Sequence, residues 1–323
     1  MRTYKQLTYE QRCQIEVLKK SGINQQAIAA LITVSQSSVS RELSRNRGLR
    51  GYRHDQAHRV SVERRQATAK PHKMTVKLID EIDDKLYVKW SPEQISGWLL
   101  VEKGICISHE IIYQHVWADK AAGGDLYKHL RRRARRYKTR GSTGKTRSGQ
   151  IKNRVSIDDR PIVVDEKGRV GDWEIDTVIG KNHSGALVTI VERATLFTVS
   201  MGVKSKRAKE VTAATLALLM PFKGLVHTIT SDNGKEFAYH EKIAADLECN
   251  FYFAHPYHSW ERGLNENTNG LLRQYFPKST DFKAVSTRAV KQSVDQLNNR
   301  PRKTLAFKTP TVLMQEELAA LIA

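Results

Sequence analysis

Apolar positions change their spacing near the middle of the chain. Up to about residue 120 they recur every three or four positions, which is the period of an amphipathic helix. After Asp172 and Trp173 they gather in short runs that are typical of buried strands. The pattern therefore predicts an all-α N-terminal part followed by an α/β part.

The first part of the chain carries signals for three short helices. Thr8 and Gln11 fit a capping box ahead of the first helix, and Gly22 is a natural left-handed end for it. A second helix is expected from Asn24, and Ser35 can cap a third. Three closely connected helices of this kind are common in DNA-binding units.

Small and β-branched residues around the second connection favour a helix-turn-helix. Ala29, Val34 and Val39 supply its core, and the third helix then exposes side chains that can read base edges or contact phosphate. These are Gln36, Ser37, Ser40, Arg41 and Arg45. The alternative is a plain three-helix bundle with a polar outer face. Because a β-branched residue resists positive φ, Thr33 in the usual glycine position predicts a turn that differs in detail.

A second, weaker helix-turn-helix signal begins at Ser91. Pro92 suits a first helical position, and Gln94 completes another capping box. The helix 92–102 should end at Gly104, and Ser108 should cap a helix 109–117. That second helix would direct His109, Glu110, Tyr113 and Gln114 outward. A structural helical hairpin is an equally good interpretation.

Basic residues dominate two connecting segments. Residues 50–73 form a basic, polar segment with arginines on a predicted helix, expected to run along a phosphate backbone. No acidic residue occurs from Leu126 to Val155, whereas Arg131, Arg132 and Arg133 begin a long basic run. Such a run repels itself, so it is interpreted as a hinge that becomes ordered on DNA; the alternative is a solvated tail.

The C-terminal half has the element order of a ribonuclease-H-like fold with a mixed five-stranded sheet. Strands are predicted at 175–179, 186–191, 196–203, 226–230 and 250–254, with helices at 206–220, up to 247 and through Glu266.

The predicted organisation is a helix-turn-helix domain at 1–70, a second helical DNA-binding region at 71–120, a basic linker at 121–165 and a catalytic domain at 166–323. In such a fold the first and fourth strands are neighbours, which would bring Asp176 close to Asp232.

Three acids are candidates for a metal site. Asp176 and Asp232 from neighbouring strands and Glu266 from a helix could hold two divalent ions around one scissile phosphate. Mg²⁺ or Mn²⁺ is expected. Alone, each acid is a weak signal, and Asp172 and Glu174 compete for the first position. Asp176 is favoured because it lies deepest in the strand.

Charge and cysteine content indicate the kind of partner and the cellular compartment. The 54 Lys and Arg against 34 Asp and Glu give a net charge of +20, and the excess is clustered, which favours a polyanionic partner over mere solubility. Three scattered cysteines show no ligand spacing and suit a reducing cytosol. No apolar run approaches a membrane span or a signal core, so no membrane partner and a cytoplasmic, nucleoid-associated location are predicted.

The acid-bearing motifs resemble the IS30 family of bacterial insertion-sequence transposases. They are Trp-Glu-Ile-Asp-Thr-Val-Ile-Gly-Lys around Asp176, Thr-Ser-Asp-Asn-Gly-Lys-Glu-Phe around Asp232, and Trp-Glu-Arg-Gly-Leu-Asn-Glu-Asn around Glu266. The 33 residues between Asp232 and Glu266 match the spacing in that family. The resemblance continues through Leu297–Leu305 and back to Ser38–Leu43, so it covers nearly the whole chain.

The resemblance implies a fold like that of a retroviral integrase core and a transposase that acts on double-stranded DNA. Such an enzyme binds the terminal inverted repeats of its element, cleaves at the ends with divalent metal and joins the freed 3′-hydroxyl to target DNA. By the same comparison Asp176, Asp232 and Glu266 are the metal ligands. Further residues are implied to contact or position DNA: Trp260, Arg262, Asn269 and Arg273. Trp260 could instead be a core aromatic.

Two positions depart from the family pattern. His258 and Leu264 stand where Ser or Thr is expected, and neither is predicted to be a ligand of the acidic site. Because two element ends must be brought together, a homo-oligomer is expected. The alternatives are a non-catalytic helix-turn-helix DNA-binding regulator with a vestigial triad and a plain nuclease of the same fold.

Overall fold

A computed structural model describes residues 6–67, 74–131, 151–256 and 258–322. The chain divides into two compact units, an N-terminal unit (Met1–Lys73) and a C-terminal unit (Met74–Ala323). Arg132 and Arg133 of the basic run lie outside the described residues. Within those residues, no helix is long and apolar enough to cross a membrane.

The N-terminal unit is helical, and the predicted caps are confirmed. Thr8 and Gln11 form the capping box, and the side chains of Asn24 and Ser35 each accept a hydrogen bond from a backbone N–H of the helix that follows. The core includes Ile15 and Ile28. The helices are α1 (Tyr9–Lys20), α2 (Gln25–Leu31), α3 (Gln36–Arg45) and α4 (His54–Ala67).

The turn between α2 and α3 keeps a left-handed residue although no glycine is available. Thr33 has φ of +55°, a conformation that costs a β-branched residue roughly 1–2 kcal/mol. Val34 donates its backbone N–H to the carbonyl of Ala29 at 3.0 Å, and the capped helices on both sides hold the turn. Thr33 therefore adopts the conformation that its residue type disfavours.

A buried ion pair joins three helices of the N-terminal unit. Arg12 of α1 donates from Nε to Oε1 of Glu42 in α3 at 2.8 Å, and both side chains are more than 90% buried. Arg12 also donates to Ser61 of α4 at 3.0 Å, while the Tyr52 hydroxyl donates to Glu42 at 3.1 Å. Thus α4, expected within a connecting segment, packs as an integral part of this unit.

We expect Glu42→Gln to destabilise the N-terminal unit by about 3 kcal/mol, because it leaves the Arg12 guanidinium buried without a counter-charge. Glu63→Gln is the matched control, since the Glu63–Arg59 pair of 3.8 Å is exposed and should contribute less than about 1 kcal/mol. Hydrogen exchange of the amides of α1 and α3, measured in the full chain, reports the loss. Equal effects of the two substitutions would contradict the role given to the buried pair.

The C-terminal unit begins with three helices that share a hydrophobic core. They are α5 (Val76–Tyr87), α6 (Pro92–Lys103) and α7 (His109–Ala121). The capping box of Ser91 and Gln94 and the left-handed Gly104 are confirmed, whereas the Ser108 side chain makes no capping hydrogen bond. Leu99 and Ile112 are fully buried between α6 and α7.

These helices pack against the C-terminal part of the chain. A Cβ atom at Gly97 of α6 would come within 2.0 Å of the Phe307 ring, so only glycine fits there. Lys303 pairs with Glu93 at 2.7 Å, and the Lys89 ammonium lies 3.9 Å from the centre of the Tyr275 ring. The three helices therefore belong to the same compact unit as the sheet.

Five strands form the sheet: β1 (Asp172–Ile179), β2 (Ala186–Glu192), β3 (Thr198–Val203), β4 (Thr228–Ser231) and β5 (Asn250–Phe253). Their order in the sheet is β3-β2-β1-β4-β5, as the ribonuclease-H-like prediction requires. Strands β1 to β3 are antiparallel, and β4 and β5 run parallel to β1. β3 begins two residues later than predicted, after Leu196 with φ of +61°.

Helices cover both faces of the sheet. The remaining bounds are α8 (Ile162–Glu166), α9 (Ala208–Leu219), α10 (His240–Leu247), α11 (Gly263–Leu272), α12 (Thr287–Asn298) and α13 (Pro310–Ile322). One core packs α9, α10 and Met314 of α13 on Ile175. The other packs α11 and α12 on Val178 and Leu187. This second core fixes α11, which carries Glu266, against β1 and β2.

Candidate active site

Asp176 and Asp232 lie at the same edge of the sheet. Glu174 of β1 pairs with Thr230 of β4, and each aspartate follows two residues later on its strand. Because the strands are parallel, both carboxylates reach the edge formed by the carboxyl ends of β1 and β4. The predicted proximity of these two acids is confirmed.

The side chain of Arg262 bridges the two aspartates. Its Nη1 lies 3.6 Å from Asp176 Oδ1, and its Nη2 lies 3.4 Å from Asp232 Oδ2. Nη1 also donates to the backbone carbonyl of Ile175 at 3.3 Å. Two carboxylates that would repel each other thus share one positive charge, which is the electrostatic condition for a cation site.

A short chain of hydrogen bonds orients the Asp176 carboxylate. The Asn269 amide donates to Oδ2 at 2.8 Å, and the Thr177 backbone N–H donates to Oδ1 at 2.8 Å. The Thr189 hydroxyl donates to the Asn269 carbonyl oxygen at 3.0 Å, which fixes the orientation of that amide. Burial raises the pKa of Asp176; Arg262 opposes this shift, and the charge of Asp232 adds to it.

Asp232 is held by a local turn and remains open to solvent. The Gly234 backbone N–H donates to its Oδ1 at 2.9 Å, in the manner of an ordinary Asp-Asn-Gly turn. Its side chain is nevertheless 40% exposed and directs Oδ2 toward Arg262. This turn therefore presents the Asp232 carboxylate at the edge of the sheet.

Glu266 is exposed on α11, and a buried contact anchors that helix. The Asn265 backbone N–H donates to Oε2 of Glu174 at 3.2 Å, and Glu174 is also paired with Arg193. Three potential ligand atoms of the acid site (Asp176, Asp232 and Glu266) are not all within 4.8 Å of one another.

The residues present fit divalent metal. Asp176 and Asp232 already share a cation, Asp232 and Glu266 are accessible to water, and the donors are hard carboxylate oxygens of the kind that Mg²⁺ prefers. Two metal ions that keep several water ligands do not require all three carboxylates to contact one ion.

The two competing acids of β1 are engaged elsewhere. Asp172 is fully buried, accepts two hydrogen bonds from Arg169 at 3.0 and 3.1 Å and accepts another from the Thr228 hydroxyl. Glu174 is buried against Arg193, and burial raises its pKa. Asp176 is the acid of this strand that faces Asp232.

Two further residues near Asp176 carry contacts that the motifs do not reveal. Glu236 is buried, accepts a hydrogen bond from the Thr177 hydroxyl at 3.0 Å and pairs with Lys206 at 2.6 Å. In the sequence, only its place within the Ser-Asp-Asn-Gly-Lys-Glu-Phe motif could have pointed to Glu236. Lys206 lies just ahead of α9 and has no such signal.

The residues expected to touch DNA near the acid site have distinct surroundings. Asn269 contacts Asp176, whereas Arg273 donates from Nη2 to the backbone carbonyl of Ile179 at 2.9 Å and is half-buried. Trp260 is 69% exposed, so it is not a core aromatic; its ring lies 4.4 Å from that of His258. The DNA contacts of these residues stay predictions.

The candidate DNA-reading residues lie on the surfaces expected of them. On α3, Ser40 is partly buried, and the other four candidates are exposed. They are Gln36, Ser37, Arg41 and Arg45. On α7, the four residues predicted to point outward are exposed: His109, Glu110, Tyr113 and Gln114. Arg131, at the start of the basic run, donates to the Asn267 side chain of α11 at 3.1 Å. That run therefore begins beside the helix that carries Glu266.

We expect Glu174→Gln to reduce DNA cleavage by about 100-fold, because it loosens the attachment of α11 and displaces Glu266 by roughly an ångström. Glu192→Gln is the control: Glu192 is equally buried but bonds only to the β2–β3 turn and Gly171. Its loss should destabilise the fold with less than about a tenfold effect on cleavage.

Hydrogen exchange of α11, with both variants kept below their unfolding temperatures, separates the two effects. Faster exchange of α11 is expected in the Glu174 variant alone. Identical losses of cleavage in the two variants would show that Glu174 acts only through general stability.

Comparisons with known protein families support both units. A profile described as a helix-turn-helix domain matches residues 3–46, and one described as an integrase core domain matches residues 168–259. A solved structure, the catalytic core domain of BIV integrase, aligns at 18% identity with a TM-score of 0.40 over 48% of this chain and 100% of that one. The helix-turn-helix and integrase core profiles, with the site geometry, define a DNA-binding transposase or integrase with a metal-dependent acidic-triad core.

Similar sequences narrow the class. The chain is 47% identical over 308 residues to the transposase for insertion sequence element IS4351 of Bacteroides fragilis, covering 95% of this chain and 94% of that protein. It is 34% identical to the transposase InsI for IS30C of Escherichia coli K12, covering 97% and 84%. The chain belongs to the IS30 family of insertion-sequence transposases. It is an enzyme that binds DNA and depends on divalent metal for nuclease and strand-transfer chemistry.

Proposed function

We propose that Asp176, Asp232 and Glu266 form the catalytic site with which this transposase cleaves the ends of its insertion sequence and joins them to target DNA. The observation that carries the proposal is the shared cation: two carboxylates on neighbouring parallel strands lie 3.6 and 3.4 Å from the same guanidinium. The terminal inverted repeats of the element are the proposed specific DNA.

The proposed metal is Mg²⁺ or Mn²⁺, with two ions per site. When bound, such ions supply activation of the attacking oxygen and charge neutralisation at the leaving oxygen of the scissile phosphate. The donor set supports this choice, because each of the three ligands offers only carboxylate oxygen.

The surrounding residues have defined tasks in this proposal. Asn269 holds the Asp176 carboxylate in one orientation, and Thr189 holds Asn269. Glu174 anchors the start of α11, so that Glu266 is presented from a fixed helix. Arg262 offsets the repulsion between the two aspartates until DNA and metal enter.

The same site serves both reactions. Cleavage by water and transfer by a DNA 3′-hydroxyl are in-line displacements at phosphorus, so neither requires a protein nucleophile. The intact and oriented Asp176 carboxylate counts against a non-catalytic regulator. A plain nuclease would use the same residues and yield nicks without joined products.

The proposed DNA contacts extend over both units. In the N-terminal unit, α3 offers exposed amide, hydroxyl and guanidinium groups of a kind that read base edges. In the C-terminal unit, α7 and Arg131 are proposed to follow the DNA toward the acid site. The net charge of +20 predicts steep salt dependence of binding.

The proposed active form is a homo-oligomer, a dimer or larger, since two element ends must be held together. The bacterial cytoplasm, where the nucleoid supplies its DNA, is the proposed location.

We expect the single substitutions Asp176→Ala, Asp232→Ala and Glu266→Ala each to lower end cleavage and strand transfer by about 1,000-fold or more, corresponding to ~4 kcal/mol of barrier. Binding to the inverted repeats, measured by gel shift, should remain, since the acids are not expected to hold DNA. Asp246→Ala is the control, because Asp246 pairs with Lys242 on the surface of α10.

Product mapping completes this test. Retained cleavage in all three variants would exclude the proposed site. Nicked but never joined products from the unmodified protein would assign the site to a nuclease instead.

We expect Arg41→Ala to weaken binding to the inverted repeats by about 1–3 kcal/mol while binding to random DNA changes less. Arg41 is exposed on α3, and its Nε donates to the Ser37 carbonyl, which leaves its terminal nitrogens directed outward. Arg59→Ala on α4 is the control for a phosphate-type contact. Equal losses on specific and random DNA would make Arg41 a phosphate contact rather than a base reader.

A further inference from the structure

A second group of potential metal ligands lies outside the acid site. It consists of His255, His258 and Glu261, in the segment between β5 and α11, and is named here the histidine cluster. Within the described ranges, only this group brings three ligand atoms from histidine, cysteine or carboxylate side chains within 4.8 Å of one another. Nothing in the proposed transposition chemistry uses it.

Two distances inside the histidine cluster are close to those between the ligands of a tetrahedral site. Nδ1 of His255 lies 2.9 Å and Nδ1 of His258 lies 3.3 Å from the same carboxylate atom, Oε1 of Glu261. Bonds of 2.0–2.2 Å from zinc to nitrogen and oxygen place tetrahedral ligands about 3.3 Å apart. Both nitrogens therefore lie near the same oxygen, and all three ligand atoms lie within 4.8 Å of one another.

Outer contacts orient these ligands. Nε2 of His255 lies 3.0 Å from Oδ2 of Asp158, and a proton on Nε2 leaves the Nδ1 lone pair directed into the cluster. Oε2 of Glu261 accepts the His255 backbone N–H at 2.8 Å, which leaves Oε1 toward the histidines. A carboxylate–histidine–cation relay is the common arrangement around bound zinc.

Hydrogen bonding alone also satisfies this geometry, because the hydrogen bonds to Glu261 and Asp158 favour the charged His255 ring and raise its pKa. Without a cation, both Nδ1 atoms must donate a proton to the one oxygen of Glu261. His255 must also donate from Nε2 to Asp158, so its ring must carry both protons and a positive charge. A divalent cation satisfies both nitrogens and Glu261 while His255 stays neutral.

We propose that His255, His258 and Glu261 bind a divalent transition-metal cation of the zinc class, separate from the ions of the acid site. Nitrogen donors favour such a cation over Mg²⁺. The two histidines are 37% and 42% exposed, so a fourth position is open to water. The role is positional: Glu261 directly precedes Arg262, and the bound cation fastens the segment that delivers Arg262 to the two aspartates.

The test uses the tag-free full chain, stripped with chelator and titrated with Zn²⁺ against a chromogenic chelator. We expect about one equivalent of Zn²⁺ per chain, and an absorption spectrum of tetrahedral Co²⁺ after substitution with that ion. His258→Gln and Glu261→Gln should each weaken binding by at least about 100-fold, and Asp158→Asn by about 10–100-fold. Zn²⁺ should also slow hydrogen exchange in the segment 254–262 of the unmodified protein.

Two controls separate this site from the acid site and from chance binding. His183→Gln removes an exposed histidine elsewhere and should leave Zn²⁺ binding unchanged. Asp176→Ala should also leave it unchanged while cleavage is lost, so this inference and the proposed function fail independently. Matching melting temperatures in chelator verify that the cluster variants fold.

Undiminished Zn²⁺ binding in the His258 and Glu261 variants would overturn the proposal. So would the lack of any stoichiometric binding by the unmodified chain.

Discussion

Repulsion between two like charges is the constraint on which the catalytic unit depends. In the proposed active site Asp176 and Asp232 must lie close to serve one phosphate, yet at that distance they destabilise each other. The parallel pairing of β1 and β4 sets their separation, Arg262 supplies the compensating charge, and Glu174 ties α11 to the same strand. The charge of Arg262 therefore offsets the repulsion between the two aspartates, and Glu174 fixes the helix that carries Glu266 beside them.

Local signals in the sequence were sufficient for most of the fold. Thr8, Ser35 and Ser91 cap helices where their side chains predict it, and apolar runs locate all five strands within a few residues. What they could not give is long-range pairing of polar groups. The role of α4 depends on Arg12 meeting Ser61 across 49 positions, and no periodicity contains that information.

The acid site was also predictable only where backbone topology alone determines it. Spacing and strand order predicted that Asp176 and Asp232 approach each other, because backbone topology alone brings them together. The bridging position of Arg262 and the burial of Glu236 depend on side-chain direction in a folded interior. Arg273 shows the limit of helical spacing: it follows Glu266 by two turns, yet its guanidinium donates to backbone carbonyls.

The packing of Phe307 on Gly97 has a geometric consequence. It joins α6, and with it α7, to the compact unit that contains the sheet and α11. If α7 reads DNA, the spacing from the base pair it recognises to the phosphate at Asp176 is set by protein and not by a flexible tether. The C-terminal unit would then work as a molecular ruler: one added base pair between the two points would move the original scissile bond about 3.4 Å beyond the acid site, and the neighbouring bond would be cut instead.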